Sequence, residues 1–176
     1  MVSPPAGLSA LIVLHDPNPN GAGLAIFRCA RLLVARGWEL AFWVPGPGWS
    51  AESAQSMSDH VWLRGRPIRY SLRGMREPPG LAGRLAASPT YIRDFVRIVR
   101  RLRPAVVHAN TYYCLPEAVA ARAVGVPVVL HAHEILADES KDRAILACAG
   151  WAADHVIAVS EACAKPLLSR GAGRKV

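Results

Sequence analysis

The sequence predicts an α/β domain, doubly wound around a mostly parallel, Rossmann-like sheet. Three observations predict it. Short apolar runs alternate with amphipathic stretches of helical period along nearly the whole chain. The runs are apolar at successive residues rather than at every second one, which is how strands buried on both faces read. Gly, Pro, Asn and Ser mark most of the junctions between them. At 176 residues the chain is long enough for one well-cored domain and too short for two of ordinary size.

Leu11-Ile12-Val13-Leu14 is the first strand. The loop Asn18-Pro19-Asn20-Gly21-Ala22-Gly23 leads into a helix whose apolar face is Ile26, Phe27, Ala30, Leu33 and Val34, with Gly37 at its C-cap. Trp38 to Val44 is the second strand, closed by Pro45-Gly46-Pro47-Gly48. A weaker third strand runs from His60 to Leu63, and 65–87 reads as irregular. Ser88-Pro89 has the form of an N-cap and first-turn proline, opening a helix that buries Ile92, Phe95, Val96, Val99 and Leu102 and ends at Pro104. Three further strands follow, Ala105–His108, Pro127–His131 and His155–Val159. Helices from about Leu115 to Val124 and Glu139 to Trp151 separate them, and Ser160 caps a last helix closed by Gly171.

The net charge of +8 is unevenly spread. Residues 64–103 hold eleven arginines against Glu77 and Asp94, a local charge of +9 that leaves −1 for the rest. Arg93, Arg97, Arg100 and Arg101 lie on another face of the 88–102 helix than its apolar stripe. Arg93 and Arg97 are like charges one turn apart, so this face suits an anionic surface. Nucleic acid fits the charge alone, because clustered aromatics and a recognition motif are missing. The four cysteines form no CxxC pair, and neither a signal core nor a membrane-length apolar run occurs. The expectation is a cytoplasmic protein able to sit peripherally on the inner face of a membrane.

In open parallel sheets, ligands bind beyond the carboxyl ends of the strands. Four of these ends carry polar chemistry: His15-Asp16, His108 with Asn110, His131 with His133-Glu134, and Ser160-Glu161. Several histidines along one edge predict a polar cleft. Gly21 and Gly23 stand at a helix N-terminus, where backbone N–H groups favour phosphate, although the spacing is not GxGxxG. His131 and His133 are too close-set for the metal pair of a helix and have no evident third ligand, so no metal is expected.

Three stretches resemble the N-terminal domain of family-4-like glycosyltransferases of the GT-B fold. They are Gly21-Ala22-Gly23 through Ala30-Arg31-Leu32-Leu33-Val34-Ala35-Arg36-Gly37-Trp38-Glu39-Leu40, Arg103-Pro104-Ala105-Val106-Val107-His108-Ala109-Asn110 through Gly125-Val126-Pro127 to His131-Ala132-His133-Glu134, and Ala153-Asp154-His155-Val156-Ile157-Ala158-Val159-Ser160-Glu161. The resemblance implies an acceptor-side half of a two-domain enzyme. Such an enzyme transfers a sugar, with retention, from a nucleotide-sugar to a sugar, lipid or other hydroxyl acceptor. It implies no bound cofactor, the nucleotide-sugar being donor substrate. His133 would lie near the reacting sugar, Gly21 and Gly23 near the donor diphosphate, and Ser160 and Glu161 near the interdomain cleft. His15, His108, Asn110, His131 and Glu134 are acceptor-side candidates. Two departures stand out: Ala22 separates glycines that are adjacent in the family, and Trp38 replaces a histidine. Arg174-Lys175-Val176 reads as the first residues of an interrupted strand, so the carboxylate-bearing donor half is expected on further sequence or on a partner chain. The competing expectation is a non-catalytic module that docks an anionic membrane or polymer through its arginines.

Overall fold

The structure is a computed structural model. It describes residues 9–65, 81–136 and 140–168, apart from the side chains of 81–87 and 141. Its strands are β1 (Ser9–Val13), β2 (Glu39–Val44), β3 (Val61–Leu63), β4 (Val106–Asn110), β5 (Val128–Ala132) and β6 (His155–Ala158). Its helices are α1 (Gly21–Val34), α2 (Trp49–Gln55), α3 (Leu81–Leu102), α4 (Leu115–Ala123), α5 (Ser140–Ala152) and α6 (Glu161–Leu168). The strands form one sheet in the order β3-β2-β1-β4-β5-β6, and every pairing is parallel. This is the doubly wound architecture that the apolar runs predict. The chain winds outward from β1 to β3, crosses back, and winds outward again from β4 to β6.

Alternation along each strand divides the core into two layers. Ile12, Leu14, Phe42 and Val44 face α1 and α2, where they pack on Ile26, Phe27 and Ala54. Leu11, Val13, Trp43, Val107 and Leu130 face the other way, onto Phe95 and Val99 of α3, Ala118 of α4 and Leu146 of α5. Full burial of side chains such as Phe42, Trp43 and Phe95 stabilises the fold by ~1.5–3 kcal/mol each. Gly37 (φ 81°) and Gly125 (φ 82°) end α1 and α4 in the left-handed region, as their positions predict.

The structure corrects four local expectations. α3 starts at Leu81, so Pro89 lies inside it and Ser88 is no N-cap. The packed stripe Tyr91, Phe95 and Val99 sets the axis, and the proline forfeits one ladder hydrogen bond without ending the helix. The irregular segment therefore stops short of 81. α2 and a 3-10 turn at Tyr112–Cys114 have too few residues to show a period. Val34, expected on the buried face of α1, is 41% exposed at the last residue of the helix. Arg66, Arg69, Arg73, Arg76, Glu139, Gly171 and Arg174-Lys175-Val176 lie outside the described residues, as does the side chain of Arg84.

Candidate active site at the carboxyl edge of the sheet

Register places the polar residues. Val107 and Ala109 point into the α3 layer, so His108 and Asn110 point to the α1 side of the sheet. Asn110 pairs with His131 across β4 and β5, which brings both to the same rim. Asn110 is fully buried and donates from Nδ2 to the carbonyl of Ala22 at 3.2 Å, tying β4 to the first turn of α1.

A column of three imidazoles results. His108 and His131 meet edge to face at 5.5 Å between ring centroids, and His131 and His133 lie 4.2 Å apart. Burial, with the like charge of its two neighbours, holds His108 down at about 3. Burial and then His133 hold His131 at about 4, and burial lowers His133 as well. All three are neutral at physiological pH, and a neutral imidazole offers one donor and one acceptor. His108 Nε2, His131 Nδ1, His133 Nε2, Asn110 Oδ1 and Tyr112 Oη are buried and have no hydrogen-bond partner among the described residues. Leaving such a group unpaired costs ~1–3 kcal/mol, so several at one rim make it a candidate surface for a polar partner.

Glu134 closes the rim. Its Oε2 accepts from the Tyr112 amide at 3.4 Å. Burial raises its pKa, against hydrogen bonds from the backbone of Tyr112, Glu134 and His133 and from the Thr111 side chain. Thr111 holds φ at 89°, an uncommon conformation for a β-branched residue. Its amide donates to the His131 carbonyl at 2.9 Å and its hydroxyl accepts from Tyr113 N at 3.2 Å. Strain of this kind costs ~1–3 kcal/mol and fixes the turn that presents Tyr112 and Tyr113. Tyr113 in turn stacks on His15, with centroids 5.2 Å apart.

At the N-terminus of α1, Asn20 is the cap, and its Oδ1 accepts from Gly23 N at 2.8 Å. The N–H of Gly23 is therefore engaged. A Cβ at Gly23 would lie 3.1 Å from the Trp49 ring, whereas one at Gly21 would meet nothing within 4 Å. Gly23 lets α1 pack against α2, while Gly21 and Ala22 present amides at the helix end that no hydrogen bond among the described residues engages. Ser160 Oγ accepts from Cys163 N at 3.3 Å as the cap of α6, and Glu161 stands exposed in its first turn. Among the described residues no hydrogen bond joins either to the histidine column. The edge thus gathers His108, Asn110, His131, His133 and Glu134, with His15 reached through Tyr113. Among the described residues no three potential ligands are placed to hold a metal ion.

Thr111, Tyr112, Tyr113 and Asn20 escape the sequence reading. A Thr-Tyr-Tyr run directly after a strand end and an Asn directly before a helix are the signals that could have found them. Arg93, Arg97, Arg100 and Arg101 are exposed on α3. Arg97 is partly neutralised by Asp94 at 3.1 Å. Asp154, within the third of the matching stretches, is a structural clamp. It accepts from Arg122 at 2.5 Å and from Val128 N at 2.9 Å, joining β5 to the turn before β6.

An all-parallel sheet with polar residues gathered at its carboxyl rim defines a Rossmann-like domain of the kind that forms the N-terminal half of GT-B enzymes. The chain belongs to glycosyltransferase family 4, whose model matches residues 19–176. No curated protein sequence matches it significantly. Among solved structures, HepE of Anabaena in complex with UDP-glucose is 21% identical, with a TM-score of 0.68 over 93% of this chain and 41% of that one. MurG of Acinetobacter baumannii is 15% identical, with a TM-score of 0.58 over 86% of this chain and 41% of that one. A UDP-N-acetylglucosamine 2-epimerase described as putative, from Listeria monocytogenes, is 10% identical, with a TM-score of 0.63 over 94% of this chain and 42% of that one. These likenesses concern the fold, and the chain spans about two fifths of the length of each.

Proposed function

We propose that this chain supplies the acceptor-side half of a retaining GT-B glycosyltransferase. That enzyme would move a sugar from a nucleotide-sugar to a hydroxyl of a sugar, lipid or other acceptor, its donor-binding half lying on further sequence or a partner chain. The observation that carries the reading is the neutral histidine column beside the capped N-terminus of α1, with one buried nitrogen of each ring lacking a hydrogen-bond partner among the described residues. The donor diphosphate carries negative charge into the site, and the Gly21 and Ala22 amides with the α1 dipole would meet it. Positive charge develops on the sugar ring during glycosyl transfer. An imidazolium beside that ring would oppose it. The lowered pKa of His133 keeps a neutral hydrogen-bonding group there instead. Glu134 and the His15–Tyr113 stack would border the acceptor, and Ser160 and Glu161 the interdomain cleft. A peripheral contact with an anionic membrane, through Arg93, Arg97, Arg100 and Arg101, accompanies this reading.

The epimerases among the structural neighbours favour a second reading, in which the sugar is isomerised while still attached to its nucleotide. Incubating the chain, together with a donor-binding GT-B half, with isotopically labelled UDP-sugar and candidate acceptors separates the two. Labelled acceptor supports transfer, whereas an epimeric nucleotide-sugar with no acceptor labelling overturns it. His133→Ala should cut turnover on the order of 100-fold with little loss of stability. Turnover equal to wild type would remove His133 from the chemistry.

A further inference from the structure

A second feature lies at the opposite, amino edge of the sheet. Between the carboxyl ends of α3 and α4 is a cleft of about 400 Å³, lined by Val99, Arg100, Arg103, Val124, Val126 and Pro127 among others. Pro127 directly precedes β5, so the cleft is a strand length from the histidine column, about 17 Å for five residues. Its floor is apolar: Val99 is fully buried, and Val124 and Val126 pack against the core beneath α3 and α4. Its polar side chains are the two guanidinium groups of Arg100 and Arg103.

Three observations point to an anion that also carries hydrocarbon. First, among the described residues no ion pair holds Arg93, Arg100, Arg101 or Arg103, while Asp94 is taken by Arg97 and Arg64. Second, Arg103 sits at φ 48°, the position after α3 where a glycine is the unstrained choice, so a cation stands at the cleft despite a backbone cost. Third, beyond the two guanidiniums the walls are mainly valine and proline, which suit methylene groups better than a hydrated phosphate. The exposed arginines of α3 extend the same positive surface beyond the cleft.

We propose that this cleft binds the acidic headgroup and adjoining hydrocarbon of an anionic phospholipid, so that the amino edge of the sheet docks on a bilayer. The carboxyl edge then faces away from the membrane, and the basic surface anchors the protein without touching substrate. This assignment deepens the anionic-membrane contact proposed above for the arginines of α3, and it stands apart from sugar transfer, since it uses no residue of the histidine column.

The test uses the full 176-residue chain. Wild type should co-sediment with phosphatidylcholine vesicles containing phosphatidylglycerol and not with phosphatidylcholine alone. Arg100→Gln with Arg103→Gln should lower partitioning about 25-fold, about fivefold per arginine. Arg93→Gln with Arg97→Gln, on the same helix but away from the cleft, should lower it distinctly less. In NMR titrations, dihexanoyl phosphatidylglycerol below its micelle concentration should shift the Gly125 and Val126 amides, and inorganic phosphate should not. Equal shifts from inorganic phosphate would make this a small-anion site and overturn the lipid assignment. Equal losses from the two arginine pairs would make it a diffuse charged surface. Lowered thermal stability of the Arg100/Arg103 variant with unchanged partitioning would reduce the arginines to helix-end neutralisation. Absence of vesicle binding overturns the proposal outright, whatever the chain does with nucleotide-sugars.

Discussion

Acid should destabilise this protein through its histidine column. His108 and His131 have an ordinary value of 6.5 when exposed, against about 3 and about 4 in the fold. Below pH ~6.5 the unfolded chain binds protons that the folded chain refuses, so stability is full above that pH and is lost as pH falls toward 4 and then 3. At pH 5 each residue accounts for about 1.5 protonation decades, or about 2 kcal/mol. The pair therefore removes about 3–4 kcal/mol between pH 8 and pH 5, with a local slope of up to about 2.7 kcal/mol per pH unit. Glu134 acts in the opposite sense. Its raised pKa makes the folded state bind a proton more readily, which trims the slope without reversing it. Urea unfolding midpoints measured across pH 5–8 read this directly. The double variant His108→Gln, His131→Gln, although less stable at pH 8, should lose most of the pH dependence. If wild type and variant show parallel pH profiles, the imidazoles are not held neutral, and the electrostatic account of the site fails.

Three further outcomes follow from other parts of the fold. Asn20→Ala removes the α1 cap and should cost ~1 kcal/mol by chemical denaturation. It also frees the Gly23 amide, so any UDP-induced NMR shifts at the helix end should spread to Gly23. Tyr91→Phe deletes the hydroxyl that accepts from the fully buried Trp43 Nε1 at 2.7 Å and donates to Glu117. It should cost ~2–3 kcal/mol in denaturant titration, since the indole N–H loses its acceptor. Asp154→Ala should cost ~1–2 kcal/mol and speed hydrogen exchange at the Val128 amide, which it leaves without its carboxylate.

The parts of the fold visible in the sequence were those enforced by periodicity over many residues. The runs of β1 and β2 are apolar at successive positions because both sheet faces are covered, and that pattern has few other causes, whereas β6, at the end of the sheet, reads the same although only Val156 of its four residues is buried. Gly37 and Gly125 marked two helix ends because a left-handed residue is needed there. Short elements and helix starts were less visible. Ser88-Pro89 had the local chemistry of a helix start, but local chemistry yields when the apolar stripe downstream is anchored in the core. Residues 49–55 make too few turns to show a face, so α2 came only with the structure, along with the packing of Trp49 over Gly23.

The site was legible in its histidines and not in what holds them. Parallel strands deliver their terminal residues to one rim, so His108, His131 and His133 could be gathered from sequence order alone. That Asn110 turns inward to the Ala22 carbonyl, and that Thr111 accepts strain to aim Tyr112 and Tyr113, depends on register between β4 and β5. Register joins residues far apart in the chain, and no local pattern encodes it. The two glycines of the first loop showed the same limit. They look equivalent in sequence, yet a Cβ at one would meet nothing within 4 Å and the other receives an indole ring.

The central claim is that the carboxyl edge around His133 and the first turn of α1 meets a nucleotide-sugar. Titration of UDP-glucose into the isotopically labelled chain together with a donor-binding GT-B half, followed through the chain's backbone amides and histidine side chains, tests it most directly. Saturable shifts are expected at Gly21, Ala22, His131 and His133, and His133→Ala should abolish the one at His131. Shifts confined to the amino edge near Gly125, or none at millimolar nucleotide-sugar, would contradict it.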